Sequence, residues 1–412
     1  MTGSATRMTS DAGLGGPLRG LRVLDLSRIM AGPWASQLLA DLGADVIKVE
    51  RPSVGDDTRQ WGPPFVRGTD GTSRESAYFL SVNRGKRSVV LDIATTAGQA
   101  TVRSLAQTCD IVLENFKAGT LERYGLDYPS LSAVRPGLIY CSITGFGQSG
   151  PRHREAAYDF AIQAASGLMS VTGEPDEHPG GGPEKVGVPV IDLMTGMYAA
   201  VGVLAALARR HATGEGEYID LAMLDVGVSL LSNRAMSYLV SGTEPGRTGN
   251  AHPNIQPQDV FAAADGHLAL AVGNDAQFRD LCGVLGHPEW AQDPGFATNA
   301  ARVRHRAELF ERLTDCFRRE PLTEWVRVLG AAGVPAGPIN TVSRIIDDPQ
   351  VRHRGLIQPL PHPEVDGIRT VGPPFTFRNA TLDACRAAPL LGQHTDEIHA
   401  ELRARAELDG GS

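Results

Sequence analysis

The sequence predicts an α/β protein in which a doubly wound, mostly parallel, Rossmann-like sheet forms a large domain and a smaller α+β domain follows. From about residue 20, apolar runs typical of strands alternate with helical patterns, which favours a parallel sheet with helices on both faces. After about residue 225 this alternation stops, and a Pro-rich loop precedes charged helical segments. With 412 residues the chain is long enough for two domains. We therefore place the large domain at 18–225 and the small domain at 226–330.

The first elements form one βαβ unit. The apolar run LRVLDLS (21–27) predicts a strand that ends where RIMAGP begins. Pro33 suits the first position of the helix that follows, and Gly43 suits its C-terminal cap. ADVIKVER (44–51) then predicts the second strand of the unit.

The alternation continues through the rest of the large domain. The patterns predict strands at 88–93 and 110–116, a strand and turn at 137–147, and helices at 97–109, 158–171 and 193–210. The last helix is short and rich in Ala and Gly, which predicts a buried helix rather than a membrane span. One apolar stripe of this helix consists of Met194, Met197, Tyr198, Val201 and Leu204.

After residue 225 the sequence predicts a few separate strands and a mostly helical segment instead of a regular strand–helix alternation. GHLALAVG (266–273) predicts a hairpin strand, 275–330 is mostly helical, and IRTVGPPFTF (368–377) predicts a late strand. AAGVPAGPIN (331–340) is a Gly/Pro junction. The segment 1–17 lacks the apolar core of a secretory signal. Its Ser and Thr content leaves a short transit peptide as an alternative, and we expect a disordered leader.

Composition argues against several classes of function. The formal net charge is −8, with no concentrated basic run, which argues against nucleic acid as a partner. The 5 cysteines are scattered and form no CxxC or Cys/His cluster, which favours reduced thiols and gives no metal site. We therefore expect a cytoplasmic protein that binds neither a membrane nor nucleic acid.

Motifs for three common chemistries are missing. The first strand–helix turn, SRIMAGP, has one glycine where a dinucleotide site needs GxGxxG. There is no GxSxG nucleophile elbow for a serine hydrolase and no HExxH pair for zinc. The carboxylates remain as candidate catalytic groups.

Asp192 is the unusual carboxylate, because it lies in the otherwise apolar stretch GVPVIDLMTGMYAA (187–200) where a strand gives way to a helix. An Asp at such a junction commonly caps the helix, and this interpretation stays open for Asp192 and for Asp159. Apolar neighbours and a place near the carboxyl edge of a sheet instead favour a ligand site.

Eight segments, in this order and spacing, resemble the family III CoA-transferases from Leu18 to about Leu402. They are GLRVLDLSRIMAGPWASQLLADLGADVIKVERP, NRGKRSVVLD, DIVLENFKAGTLERYGLDY, SGLMSVTG, DLMTGMYAAVGVLAAL, TGEGEYIDLAMLD, GVPAGPIN and LLGQHTDEI. SAYFLSVNRGKRSV, IYCSITGFGQSGP and PLLGQHTDEI look most like the dicarboxylate-handling members. The resemblance implies a transferase that moves CoA between carboxylic acids, with succinyl-CoA as donor and a dicarboxylate such as glutarate as acceptor.

The resemblance also implies a mechanism. The family's nucleophile matches Asp192, which attacks a thioester to give an aspartyl anhydride and then an aspartyl-CoA thioester. We expect a dry, apolar setting to protect these intermediates and a helix N-terminus to keep Asp192 anionic. Asp159 matches an acidic position that assists in the transferases. CoA thioesters are then substrates, and no prosthetic group or metal is required.

CoA contacts are carried over position by position. Arg51 matches the arginine that serves the adenosine end of CoA. The other matching contacts are Arg28, Ile29, Met30 and Ala31, which line the CoA arm, and Leu91, Asn115, Phe116, Arg123 and Tyr124. Formyl-CoA transferase has a glutamine where Met30 stands, a lysine where Ala94 stands and a glycine-run lid where NAHPNIQP (250–257) stands. These departures argue against formate–oxalate exchange.

Two other functions stay open for this sequence. An α-methylacyl-CoA racemase would need a His/Asp pair, but Tyr158 replaces the racemase histidine and His153 is the nearest other candidate. A non-catalytic CoA- or nucleotide-binding module would use Asp192 only as a cap.

A second substrate carboxylate needs a cationic receptor, and the candidates are His252, Arg84, Arg87, Arg234 and Arg247. The resemblance further implies an interlocked homodimer, with 331–412 as a linker and the C-terminal part of the large domain.

Overall fold

The computed structural model of this protein describes residues 16–68, 71–382 and 386–410. The leader predicted at 1–17 therefore lies almost entirely outside the described residues, as does Cys385. The other four cysteines, Cys109, Cys141, Cys282 and Cys316, are free thiols in buried positions.

Thirteen strands lie in the described ranges. They are β1 Arg22–Asp25, β2 Asp45–Glu50, β3 Phe65–Arg67, β4 Ser73–Ser76, β5 Lys86–Val90, β6 Ile111–Glu114, β7 Ile139–Thr144, β8 Glu217–Ala222, β9 Gln258–Ala262, β10 His267–Ala271, β11 Ala336–Pro338, β12 Ile357–Pro359 and β13 Arg369–Val371.

Fifteen α-helices occur in the same part of the chain. They are α1 Ala31–Asp41, α2 Ala77–Val82, α3 Thr96–Thr108, α4 Tyr128–Val134, α5 Asp159–Ala165, α6 Val190–Thr213, α7 Met223–Leu230, α8 Ser232–Ser241, α9 Asp275–Val284, α10 Asn299–Arg304, α11 Arg306–Phe317, α12 Leu322–Ala331, α13 Val342–Ile346, α14 Pro349–His353 and α15 Thr395–Gly410.

The six-stranded sheet has the order β5-β2-β1-β6-β7-β8, and every neighbouring pair is parallel. This is the doubly wound order, in which the chain leaves β1 in one direction and later returns to pair β6 on its other side. The predicted fold class is confirmed. Ligands of such sheets bind at the carboxyl edge where the order reverses, here between β1 and β6.

The central strands of this sheet are buried on both faces, as parallel strands usually are, whereas the edge strand β8 is mostly half-buried. β6 and β7 have no exposed residue. One apolar core lies on the side of α1 and α6 and includes Ile111 and Val203. Another core lies on the opposite face and includes Val112 and Ile398. Both sides of the sheet are therefore covered.

Helix α6 buries a face of small residues rather than its apolar stripe. Four members of the predicted stripe, Met197, Tyr198, Val201 and Leu204, are 36% to 57% exposed. The opposite face packs on α1, and a Cβ placed on Gly196 would lie 2.7 Å from the carbonyl oxygen of Ala31. By length and composition α6 could cross a membrane. In this fold, however, the face that packs on α1 is part of the apolar core. The prediction of a buried helix therefore holds only for the face of small residues, which permit the close approach to α1.

Helix α5 is shorter than the predicted 158–171, since it ends at Ala165. Gly167 follows with a φ of +88°, a backbone conformation that stops a right-handed helix and favours glycine. In α1, Pro33 is the third helical residue rather than the first. Strand β8 was not recognised in the sequence.

The chain divides into two compact units whose boundaries differ from the predicted ones. The first comprises the residues up to Leu168, 186–232 and the residues from Gln350 onward, and the second comprises Met169–Lys185 and Asn233–Pro349. The first unit extends past 225 because α7 continues to Leu230, which packs against its core. The segment 169–185 joins the second unit, where the Arg247 guanidinium donates to the Glu174 carbonyl oxygen at 3.0 Å.

The second unit is α+β, with an antiparallel sheet in the order β11-β10-β9 and its own apolar core. The C-terminal segment returns to the first unit. The His394 N–H donates to the Ser88 carbonyl oxygen at 3.0 Å, and Ile398 of α15 is fully buried.

Candidate active site

The loops after β1 and β6 meet at the point where the strand order reverses. The Arg28 N–H donates to Oδ1 of Asn115 at 2.9 Å, and Nδ2 of Asn115 donates back to the Arg28 carbonyl oxygen at 2.7 Å. This reciprocal pair fixes both loops at the carboxyl edge of the sheet, where ligands of doubly wound folds bind.

The first loop contains a strained residue. Ile29 has a φ of 74°, a left-handed conformation that is unfavourable for a β-branched side chain. Its N–H donates to both carboxylate oxygens of Asp56 at 3.3 Å. Asp56 is also paired with the Lys48 ammonium at 2.9 Å, and both side chains are fully buried. Lys48 in turn donates to the Ser27 carbonyl oxygen at 2.9 Å, so the strained turn is held on both sides.

A cavity of about 230 Å³ lies on one side of this turn. Two arginines are at its wall, where Asp57 accepts from Arg51 at 2.6 Å and from Arg28 at 3.1 Å. Two guanidinium groups sharing one carboxylate leave net positive charge, which suits a phosphate-bearing ligand. The lining comprises Leu26, Arg28, Lys48, Val49, Glu50, Arg51, Gly55, Asp56, Leu91, Asp92, Ile93, Ala94, Phe116, Thr120 and Tyr124.

A second cavity of about 190 Å³, which we call the chamber, shares Arg28 and Phe116 with the first. Its wall carries the carboxylate of Asp192. The lining comprises Arg28, Ile29, Met30, Ala31, Asn115, Phe116, Lys117, Ala118, Ile143, Thr144, Gly145, His153, Glu155, Ala156, Ala157, Tyr158, Asp192 and Met223. A long ligand with a phosphate-bearing end and a reactive end can therefore occupy the two cavities together.

The N-terminus of α6 is capped by Asp159 and not by Asp192. Oδ2 of Asp159 accepts the N–H of Ile191 at 2.8 Å and the N–H of Asp192 at 3.1 Å. None of the described residues donates a hydrogen bond to the Asp192 carboxylate itself. The interpretation of Asp192 as a helix cap is therefore wrong, and its place in the chamber needs a different explanation.

The charge state of Asp192 also differs from expectation. Burial, and then the negative charge of Asp159, raise the pKa of Asp192 to about 7. The expectation that the helix N-terminus would keep this carboxylate anionic was wrong, because burial dominates and the N–H groups of Ile191 and Asp192 donate to Asp159 instead. A carboxylate with a raised pKa is a more basic group than an ordinary Asp, and it is fully ionised only above neutral pH.

The structure brings most of the candidate residues together. All the residues named for CoA except Arg123 line one of the two cavities. Arg123 precedes Tyr124 in a short 3-10 turn and is exposed, and His252 is in the second unit. Sequence reasoning missed Lys117, Thr144 and Lys48. Thr144 is the last residue of β7 and Lys117 lies in the loop after β6, and a position at the carboxyl end of a strand is a usable signal. Within the described ranges, His, Cys, Asp and Glu side chains form no group of three that could hold a metal ion.

The sequence pattern of CoA-transferase family III matches residues 18–395. The chain belongs to the family III CoA-transferases. It is 49% identical to the succinate–glutarate CoA-transferase of Agrobacterium fabrum over 94% of this chain and 96% of that protein. It is 42% identical to the human succinyl-CoA:glutarate CoA-transferase, over 94% of this chain and 86% of the human one.

Solved structures resemble this family III CoA-transferase closely. A CAIB/BAIF family protein from Brucella suis superposes with a TM-score of 0.83 at 47% identity, covering 94% of this chain and all of that one. A hypothetical protein from Mycobacterium tuberculosis superposes with a TM-score of 0.81 at 33% identity, covering 93% and 99%. The protein is thus an enzyme that transfers CoA, and CoA thioesters are its substrates.

Proposed function

We propose that this enzyme moves CoA from succinyl-CoA to a dicarboxylate such as glutarate, with Asp192 as the nucleophile. The observation that carries the assignment is the Asp192 carboxylate, which has no hydrogen-bond donor among the described residues and lies at the wall of a chamber that shares Arg28 and Phe116 with the arginine-lined cavity. The names of the relatives support the substrates, since both act on succinate or succinyl-CoA and glutarate.

The first half of the reaction loads the enzyme. An oxygen of ionised Asp192 attacks the thioester carbonyl of succinyl-CoA, the C–S bond breaks, and CoA leaves as the thiolate. The product is a mixed anhydride of Asp192 and succinate. The thiolate then attacks the aspartyl carbonyl, succinate leaves as a carboxylate, and Asp192 carries CoA as a thioester.

The second half reverses these steps with the acceptor. A carboxylate of glutarate attacks the aspartyl thioester and expels the thiolate, which gives an aspartyl–glutaryl anhydride. The thiolate attacks the glutaryl carbonyl, glutaryl-CoA forms, and Asp192 is released as a carboxylate. No step transfers a proton, so the reaction needs neither a general base nor a metal, but it does need Asp192 in its ionised form.

The surroundings of Asp192 suit these intermediates. Anhydrides and thioesters are hydrolysed by water, and the chamber wall around Asp192 includes apolar side chains such as Met30, Ile143 and Met223. The two arginines at Asp57 are suited to the phosphates of CoA. No prosthetic group is part of the proposal.

Mass spectrometry gives the direct test of this function. The purified enzyme is incubated with succinyl-CoA and glutarate, and we expect glutaryl-CoA and succinate to form in equal amounts. Hydroxylamine added during turnover should modify the protein at one aspartyl residue, which peptide mapping should locate within 187–200. Modification at Asp159 instead would make Asp159 the better candidate.

A racemase would use different groups and give a different signal. It needs a proton-transferring histidine, and His153 does line the chamber. Its ring nitrogens are both engaged, because Nδ1 bonds the Gly150 carbonyl oxygen at 2.7 Å and Nε2 accepts from Arg154 at 3.2 Å. Uptake of deuterium at the α-carbon of a 2-methylacyl-CoA would favour the racemase, and absence of any turnover would favour a binding module.

The receptor of the second substrate carboxylate is proposed from charge. Arg84 pairs with Asp41, Arg87 with Asp45 and Arg247 with Asp176, so these three charges are neutralised. Arg234 bonds the Gly246 carbonyl oxygen, which holds its guanidinium in place. Nδ1 of His252 accepts the Asn254 N–H at 3.1 Å, which leaves Nε2 to donate to a substrate carboxylate. We therefore keep His252 as the proposed receptor. His252→Ala should raise KM for glutarate and leave KM for pentanoate, which has a methyl group in place of the second carboxylate, unchanged.

We further propose a cytoplasmic homodimer. The exposed apolar stripe of α6, together with Phe160, which is 60% exposed, provides a surface of the kind that a second copy covers. Light scattering should give twice the chain mass at micromolar concentration, and a monomer would contradict the proposal. The proposal includes no binding to nucleic acid or to a membrane.

A further inference from the structure

Gln163 is a fully buried side chain with both ends of its amide hydrogen-bonded. It lies on α5, one turn after Asp159. Its Nε2 donates to Oδ1 of Asp159 at 2.5 Å, and its Oε1 accepts the N–H of Val186 at 2.9 Å. The amide thus ties the Asp159 carboxylate to the backbone that leads into α6. Nothing in the mechanism above uses this residue.

Asp159 is held by donors on both of its oxygens. Oδ1 accepts from Gln163, while Oδ2 accepts from the N–H groups of Ile191 and Asp192 at the start of α6. Charge-assisted hydrogen bonds of this kind fix the rotamer of a carboxylate as well as its charge. Removal of Gln163 leaves Oδ1 without a donor in a half-buried position and frees Asp159 to turn away from the helix.

We propose that Gln163 is a positioning residue of CoA transfer, which holds Asp159 over the N-terminus of α6 so that the Asp192 carboxylate stays free of the helix N–H groups. This inference rests on the proposed function of Asp192. The physical reason is competition for donors: helix N-terminal N–H groups stabilise whichever carboxylate reaches them, and a carboxylate stabilised in that way is a weaker nucleophile.

The electrostatic surroundings of Asp192 agree with this arrangement. The titratable and charged groups that face it are Asp159 from α5, Tyr78 from α2 and, across the chamber, Arg28, Lys117, His153, Glu155 and Tyr158. Burial and the charges of Asp192 and Asp159 also raise the pKa of Tyr78 to about 12, so the phenol stays neutral. Asp159 is the group among them whose charge raises the pKa of Asp192.

The test compares Gln163→Met with Gln163→Glu in the full-length enzyme. Methionine has nearly the same shape but cannot donate, so Asp159 is released. We expect kcat/KM at about pH 8 to fall about 10- to 100-fold, and we expect the midpoint of the pH profile to move below 7, toward the ordinary value of a carboxyl group. KM for succinyl-CoA should change little, since Gln163 does not line either cavity.

The glutamate variant supplies the rescue. At about pH 6 a buried carboxyl beside Asp159 is protonated, so it can donate to Asp159 and accept from Val186 as the amide does. We expect near wild-type turnover there and a loss of turnover at higher pH, where the introduced carboxylate repels Asp159. The methionine variant should show no such loss as pH rises from about 6 to about 8, because it releases Asp159 at every pH.

The outcomes separate this inference from the function on which it rests. A lower melting temperature with an unchanged pH midpoint and unchanged turnover per active site would show a purely structural role for Gln163 and overturn the inference, while CoA transfer by the wild type would stand. Full activity of an Asp192→Asn enzyme would overturn the proposed function itself.

Discussion

Two carboxylates beside the paired cavities have opposite surroundings, although Asp56 is fully buried and Asp192 is half-buried. Asp56, at the wall of the arginine-lined cavity, receives the Lys48 ammonium and two donors from Thr58, and these interactions outweigh burial and lower its pKa to about 2. Asp192, at the wall of the chamber, has no such donor among the described residues, and its pKa is raised to about 7. The same chemical group is thus kept inert in one place and basic in the other.

The difference shows how this fold separates structure from chemistry. Asp56 uses its charge to hold the strained turn at Ile29, and a satisfied, low-pKa carboxylate is a poor nucleophile. Asp192 has no such structural role, because Asp159 accepts the N–H groups at the start of α6 and caps the helix. A reactive carboxylate requires that a neighbouring group supply the local stability that it does not itself provide.

Loss of the reactive member of the pair should give the largest effect. Asp192→Asn removes the nucleophile, and we expect turnover to fall by about 10⁴-fold or more. The same substitution should raise the free energy of unfolding at high pH. A raised folded pKa means that the free energy of unfolding declines as pH rises from about 4 to about 7, and each pKa unit corresponds to about 1.4 kcal/mol.

Calorimetry at two pH values checks the sign. The Asp192→Asn enzyme should melt above the wild type at about pH 8 and close to it at about pH 4, where the wild-type carboxyl is already protonated. A lower melting temperature at both pH values, with residual turnover, would indicate a capping role for Asp192 and contradict the comparison.

Loss of the Asp56 charge should instead destabilise the fold. Asp56→Asn leaves the Lys48 ammonium buried without its partner, and we expect a loss of about 3 to 5 kcal/mol in unfolding free energy. Because the folded pKa of Asp56 is lowered, its contribution is present above about pH 4 and is lost as pH falls toward 2.

Urea titration measures this loss, and a double variant provides the control. Replacing both partners, with Lys48→Met and Asp56→Leu, removes the unpaired charge and should recover part of the lost stability. Activity should stay low in both variants if the turn at Ile29 depends on Asp56. Recovery of activity together with stability would show that the turn forms without it.

The pH profile tests the link between Asp192 and Asp159. Only the ionised form of Asp192 attacks, so kcat/KM should rise with pH and level off above a midpoint near 7. Asp159→Asn keeps an acceptor for the helix N–H groups but removes the charge. We expect the midpoint to fall by about one unit, because burial is the larger cause of the shift and remains. An unchanged midpoint would exclude electrostatic coupling between the two residues.

The smallest effect is expected at the third carboxylate, Asp57, whose arginine partner Arg51 is 45% exposed in its side chain. Solvent screens such a pair, so Arg51→Met should raise KM for succinyl-CoA by only about 10-fold and leave kcat unchanged. Wild-type KM should increase with salt more steeply than that of the variant. A change in kcat instead would place Arg51 at the reacting end of CoA.

Local patterns in the sequence were enough to predict the fold class and the region of the site. The alternation of apolar strands and amphipathic helices determined a parallel sheet, since each pattern reflects burial that the residue itself requires. One carboxylate in an apolar stretch indicated Asp192. The resemblance to the family III CoA-transferases, rather than any local pattern, indicated nine further residues that line the two cavities, and these lie within the first 124 residues.

Other features depended on contacts between distant parts of the chain. The exposed stripe of α6 has the same composition as a buried one, and only the close approach of Gly196 to α1 decided which face is covered. The segment 169–185 has no sequence mark that assigns it to the second unit.

The charge state of Asp192 is the clearest case. From the sequence, an Asp at the start of a helix is stabilised by the free N–H groups of the first turn. In the folded chain Asp159, 33 residues earlier, takes those donors, and Gln163 holds it there. Sequence determined which residue types were present, and tertiary structure decided which carboxylate received the hydrogen bonds, because donors go to the acceptor that the fold brings within reach.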